Sequence, residues 1–174
     1  CIWCYPNYLV REEETSMKQG IVLLLVAFLM MSCVKPYHRK ADFIQEEYAP
    51  YEGTGTARVC GQAYLSLHGD TQHMASGDRV LLAPVTSYTE EAYKVKVLNG
   101  RPMNDPDPKA MAFEKHTKTD EEGRFCFTDL PAGTYYVVAD IALPSSTKEH
   151  RESQLAHAIT TVKDGGNVVI LVTR

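Results

Sequence analysis

From Ala57 to Arg174 the chain is punctuated at short intervals by Gly, Pro and Asp, and the runs between these breaks are rich in Val, Tyr, Thr and Phe. Branched and aromatic side chains suit the pleated, half-buried surface of a strand, and Gly and Pro end such a run. Seven runs read as strands: residues 57–67, 79–85, 112–119, 123–128, 134–141, 158–162 and 167–173. Between the last two, Lys163-Asp164-Gly165-Gly166 reads as a hairpin turn, since glycine accepts positive φ without strain. Short strands joined by tight turns bury their apolar faces best as two packed sheets. The expected class is therefore all-β, a seven-stranded sandwich. Strand parity assigns its core: Phe125 and Phe127 point inward with Cys126 outward, and Tyr135 starts the next strand facing inward. With 44% hydrophobic and 23% charged residues, the chain has material for one ordinary core.

Three stretches carry a family resemblance: Val59-Cys60-Gly61-Gln62-Ala63, then Ser76-Gly77-Asp78-Arg79-Val80, and above all Asp120-x-x-Gly123-x-Phe125-x-Phe127-x-x-Leu130-Pro131-x-Gly133-x-Tyr135. Together they resemble the carboxypeptidase regulatory-like domain, a transthyretin-type (prealbumin-like) β-sandwich. The likeness runs over residues 57–174, and the domain is taken as 56–174. The resemblance implies a non-catalytic binding or structural module, because such domains accompany enzymes or transporters and pack against them. Two places depart from the pattern. A long link joins Val85 to Ala112, with a polar, helical piece at 89–98, and a second polar insertion spans 144–157. Loops of that length in a small domain are often functional, so an envelope protein partner is expected there. The resemblance also implies that the strands holding Cys60 and Cys126 are neighbours. A cross-strand disulfide is then expected in an oxidising compartment, with two unpaired outer-face thiols as the alternative.

Upstream, residues 1–16 include the acidic run Glu12-Glu13-Glu14, which sits badly before a membrane-targeting segment. From Met17 the order improves: Lys18 supplies a basic start, and Ile21 to Met31 is an apolar stretch of eleven residues. A spanning helix needs about 20, so the stretch suits the core of a secretory signal. Residues 1–16 are accordingly read as upstream translation and 17–32 as a signal peptide. The ending Leu29-Met30-Met31-Ser32-Cys33 resembles the lipobox of bacterial lipoproteins, with Met30 and Met31 standing where Leu and a small residue are commoner. That resemblance implies a diacylglyceryl and fatty-acyl anchor on Cys33. Val34, in place of a retaining Asp, implies the outer membrane, facing the periplasm. Residues 33–55 then read as a lipidated N-terminus and flexible tether, since Pro36, Pro50, Gly53 and Gly55 break every period. Tyr37, Tyr48 and Tyr51 read there as solvent-facing.

The chemistry-bearing residues exclude more than they assign. With 18 Lys+Arg against 22 Asp+Glu, the net charge of −4 offers nothing to a phosphate backbone, so nucleic acid is not an expected partner. There is no His-Glu-x-x-His, no Gly-x-Ser-x-Gly and no phosphate-cradling loop. No enzyme activity and no cofactor are expected. The alternative is a small periplasmic metal-binding protein or hydrolase using His68, Asp70 and His73, which could offer two imidazoles and a carboxylate to zinc. His116 reads as an exposed strand residue, His150 and His157 as part of a solvated insertion, and Asp120-Glu121-Glu122 as a hydrated turn. Trp3, the single tryptophan, precedes Met17, so no aromatic platform for a glycan is expected. The small-molecule ligand, if any, stays unassigned at this level.

Overall fold

The structure, a computed structural model, describes residues 35–67, 72–144 and 151–174. Cys33, His68, Asp70 and His150 lie outside them. Within the unit Pro36–Arg174, eight strands form two sheets of four. The first sheet is organised on β1 (Ala57–Ser66). Its C-terminal end pairs with β2 (Gln72–Met74), and its body pairs antiparallel with β5 (Arg124–Leu130) and parallel with β8 (Asn167–Val172). The second sheet is antiparallel throughout. It contains β3 (Arg79–Pro84), β4 (Lys115–Lys118), β6 (Gly133–Ala142) and β7 (Ser153–Val162), in the order β4-β3-β6-β7.

The all-β sandwich is as expected, but three features differ. Among the described residues there are eight strands rather than seven, because Gln72–Met74, read as loop, pairs with the end of β1. The final two strands do not form a hairpin. The turn is made, with Gly166 N donating to the Lys163 carbonyl at 2.8 Å, yet β7 stays with β6 while β8 crosses to lie parallel to β1. A turn sequence reverses the chain without choosing the sheet. The choice here goes to the edge of β1, where Val172 becomes fully buried. The second insertion is also shorter than expected, because β7 begins at Ser153 rather than Ala158.

The inner faces interlock as parity demands. Val59, Leu65, Phe125, Phe127 and Leu130 of the first sheet meet Val80, Leu82, Tyr135, Val137 and Ile141 of the second. Each such side chain contributes about 1.5–3 kcal/mol on burial, so this layer holds the sheets together. Gly61 lies opposite Phe125 on the inner face, and a Cβ there would stand 2.8 Å from the Phe125 ring and 2.6 Å from the Ile170 carbonyl oxygen. Its bare backbone makes room for the ring. The Asp120–Gly123 turn closes as the sequence predicts, with Gly123 at φ 78° and its N–H donating to the Asp120 carbonyl. Tyr135 is buried, donates its hydroxyl to the Pro131 carbonyl at 2.8 Å, and has its phenol pushed up to about 12 by burial.

Residues 36–55 are not a tether. They hold a helical turn α1 (Gln45–Tyr48) and a 3₁₀ turn (Ala49–Tyr51), and Tyr48 is completely buried. Its partners come from the first insertion, which carries α2 (Ser87–Ala92), a π-helical turn (Tyr93–Leu98) and α3 (Pro108–Met111). Tyr48, Tyr88 and Ala110 form a second small core, with Phe43 stacked 4.6 Å from the Tyr48 ring and Phe113 at 4.7 Å. The Tyr48 hydroxyl accepts from Thr86 Oγ1 at 3.1 Å. Thr86 in turn caps α2 in a reciprocal box with Thr89. A charged latch finishes the strap. The Glu91 carboxylate accepts from the N–H groups of Lys40 and Ala41 at 2.9 Å each and from the Tyr37 hydroxyl at 3.0 Å. Partial burial raises the Glu91 carboxyl, but these donors and the nearby Arg39 charge outweigh it, so the group sits below its ordinary range. Linear periodicity misses this strap because its contacts lie tens of residues away.

Candidate functional site

Register alone lays out the outer face of the second sheet. His116, Leu81, Val138 and His157 form one row across β4, β3, β6 and β7, followed by Lys118, Arg79, Asp140 and Leu155. Ala83, Tyr136 and Ile159 form a third row on the other side. On a bare sheet these side chains would meet solvent. Instead Ala83 is 6% and Tyr136 7% exposed, because the insertion carrying α2 and the π-helical turn lies over them as a roof.

Between roof and sheet is a cleft of about 340 Å³. Its floor is Arg79, Leu81, Ala83, Tyr136, Val138, Asp140 and Leu155, its roof Tyr88, Thr89, Ala92, Tyr93, Lys96 and Val97, and its ends Arg39, Asn104, Pro106, Glu114 and His116. Tyr93 anchors the roof. Its ring stacks on Tyr136 at 4.2 Å between centroids and 18° between planes, and its hydroxyl is hydrogen-bonded to His157 Nδ1 at 2.7 Å. Burial raises the phenols of both tyrosines, so each stays neutral and protonated. Arg39 comes from the strap. Its guanidinium lies 3.6 Å from the centre of the Tyr88 ring, and one N–H donates to the Tyr88 carbonyl at 2.7 Å. Its Nε is buried with no hydrogen-bond partner among the described residues.

Glu114 and His116 face each other at one end, Oε2 to Nε2 3.5 Å. Burial raises the Glu114 carboxyl above its ordinary range, against the opposing pull of His116 and Lys96. The cleft therefore combines aromatic surface, planar guanidinium donors and carboxyl acceptors. That mixture fixes the orientation of a small polar ligand with an apolar face.

The residues singled out from the sequence lie elsewhere. Cys60 and Cys126 are register partners on β1 and β5 and are joined as a disulfide, on the outer face of the first sheet. His73 is described, and its Nε2 lies 2.9 Å from the Ala142 carbonyl oxygen, so that nitrogen is already engaged. Among the described residues no three His, Cys, Asp or Glu side chains are placed to hold a metal ion. The acidic tip is tied to its own hairpin: Arg124 binds Asp120 at 2.9 Å and Glu122 at 2.7 Å. His157, read as part of a solvated insertion, instead supports the roof through Tyr93.

The sequence reading expected no aromatic platform for a glycan; the structure does gather Tyr88, Tyr93 and Tyr136 in the lining of one cleft, with Tyr93 stacked on Tyr136 and Arg39 over the Tyr88 ring. The available signal was Tyr136, an outward aromatic in a strand, which implies that something covers the outer face.

No family model matches the chain, and no curated protein matches it in sequence. Among solved structures it is similar to the crystal structure of a Pseudomonas aeruginosa protein proposed to bind carbohydrate. That similarity has 25% identity over 78% of this chain and 100% of the other, with a TM-score of 0.67. Fold and similarity together place the chain among the β-sandwich proteins, with a roofed cleft on one sheet.

Proposed function

We propose that this chain is a non-catalytic binding module that takes a carbohydrate in the roofed cleft and is carried at the bacterial envelope, facing the periplasm, by a lipid anchor on Cys33. The observation that carries the ligand assignment is the cleft itself, where Tyr88, Tyr93 and Tyr136 stand among Arg39, Arg79, Asn104, Glu114 and Asp140. Sugars present apolar C–H faces to aromatic rings and hydroxyls to planar, bidentate side chains. The Pseudomonas aeruginosa protein, proposed to bind carbohydrate, supports the same reading. The anchor rests on the lipobox-like Leu29–Cys33 stretch. In this reading the first insertion serves the module's own ligand site rather than docking another envelope protein.

The test is an NMR titration of the isotope-labelled chain in detergent with a panel of neutral and acidic oligosaccharides. Binding should shift resonances of Tyr93, His116 and Val138. No shifts at millimolar sugar, or shifts confined to β1, β5 and β8, would remove the assignment. The anchor is tested separately by the intact mass of protein extracted from its native membrane. A mass equal to residues 33–174 plus acyl groups is expected, whereas an unacylated mass retaining residues 1–32 would refute it.

A further inference from the structure

The charges around the cleft narrow the ligand further, on the carbohydrate reading above. Two carboxylates line it, and each has a basic side chain at hand. Asp140 Oδ2 lies 3.7 Å from Nη2 of Arg151, which approaches from outside the cleft and is itself held by Asp78 at 3.1 Å. Glu114 Oε2 lies 3.5 Å from His116 Nε2. Three further cations line the cleft: Arg39, Arg79 and Lys96. Arg39 spends one N–H on the Tyr88 carbonyl and keeps its buried Nε unpartnered among the described residues. Arg79 stands on the sheet floor between Lys118 and Asp140 in the register. Its backbone is engaged in the sheet, but its side chain has no hydrogen bond or ion pair to another described residue.

An arginine on a strand whose guanidinium fork is unspent is matched in shape and charge by a carboxylate. We propose that the cleft selects an acidic sugar, a hexuronate unit whose carboxylate pairs with Arg79, with Arg39 and Lys96 adding to the positive field. A phosphorylated sugar offers the same anionic chemistry. It brings about twice the charge into a site that already holds Asp140 and Glu114, so the monoanionic carboxylate is favoured.

The test is calorimetric titration of the full chain in detergent with an oligoglucuronate, with the neutral gluco-oligosaccharide of the same linkage, and with glucose 6-phosphate. The uronate should bind at least tenfold tighter than its neutral counterpart. Arg79→Gln should weaken the uronate at least tenfold and the neutral sugar much less, so that the preference between them collapses. Lys96→Gln, on the roof, should weaken the uronate less, and it serves in place of Arg79→Gln if that variant does not fold.

Equal affinity for neutral and acidic sugars, unaffected by both variants, would overturn this inference and leave the carbohydrate reading intact. Preference for the phosphate would overturn the choice of carboxylate. Absence of binding by all three would overturn the carbohydrate reading and this inference together.

Discussion

The two sheets turn their outer faces to different uses. On the first, Val169 is 76% and Leu171 59% exposed beside the Cys60–Cys126 disulfide. On the second, equivalent outward positions such as Ala83 and Tyr136 are buried under the roof, and the strap is latched to that roof through Tyr48 and Glu91. Parity decides which side chains leave the core, but it does not decide whether they meet water. The covered face is made by segments far apart in sequence, and there the sandwich gains its roofed cleft. One face is held by a covalent staple, the other by a small aromatic core.

Cutting the staple gives the largest expected effect. The Cys60–Cys126 pair has a sequence separation of 66, and loop-entropy arguments put its loss at about 4 kcal/mol. Cys60→Ser with Cys126→Ser should lower the free energy of unfolding by that amount while leaving the cleft's sugar affinity unchanged. Both thiols alkylating in unreduced, unfolded wild-type protein would contradict the staple.

Tyr48→Ala should come next. Removing a fully buried aromatic costs about 3 kcal/mol, and here the loss should fall on one region. Hydrogen exchange should quicken in residues 36–51 and 86–98 while amides of β1, β5 and β8 keep their protection. Uniform quickening would show that strap, roof and sandwich unfold as one unit.

The smallest effects are opposite in sign. Glu91 is held below its ordinary value of 4.5 in the fold, so its contribution is present above that value and is lost as pH falls through the folded one. Glu114 is held above it, so its ionisation works against folding as pH rises. Glu91→Gln should therefore lower stability at pH 7, by about 1 kcal/mol for a partly exposed charged acceptor, and change little near pH 3. Glu114→Gln should raise stability at pH 7 and change little in acid. Melting temperatures of both variants from pH 3 to 7 check this, and shifts of the same sign would break the contrast between latch and cleft.

What could be read from the sequence was local. The Asp120–Gly123 turn and the inward Phe125, Phe127 and Tyr135 follow from alternation and turn chemistry, and the structure keeps all of them. The helical piece expected at 89–98 is there too, as the end of α2 and the π-helical turn. What could not be read was non-local. Tyr48 looks like a linker aromatic until Thr86 and Phe113 are brought to it. Lys163–Gly166 looks like a hairpin until β1 offers a free edge in the other sheet. The cleft was invisible for the same reason: Arg39, Tyr93 and Tyr136 come from strap, roof and sheet, and no spacing links them.

The parallel pairing of β1 with β8 has a consequence for the order of assembly. Arg58 N–H donates to the Gly166 carbonyl at 2.8 Å, and Gly165 N–H reaches Thr56 across 109 residues. The first strand of the sandwich to be synthesised therefore waits for one of the last before its sheet is complete. Long-range parallel pairing of this kind slows folding, since chain closure precedes the reward.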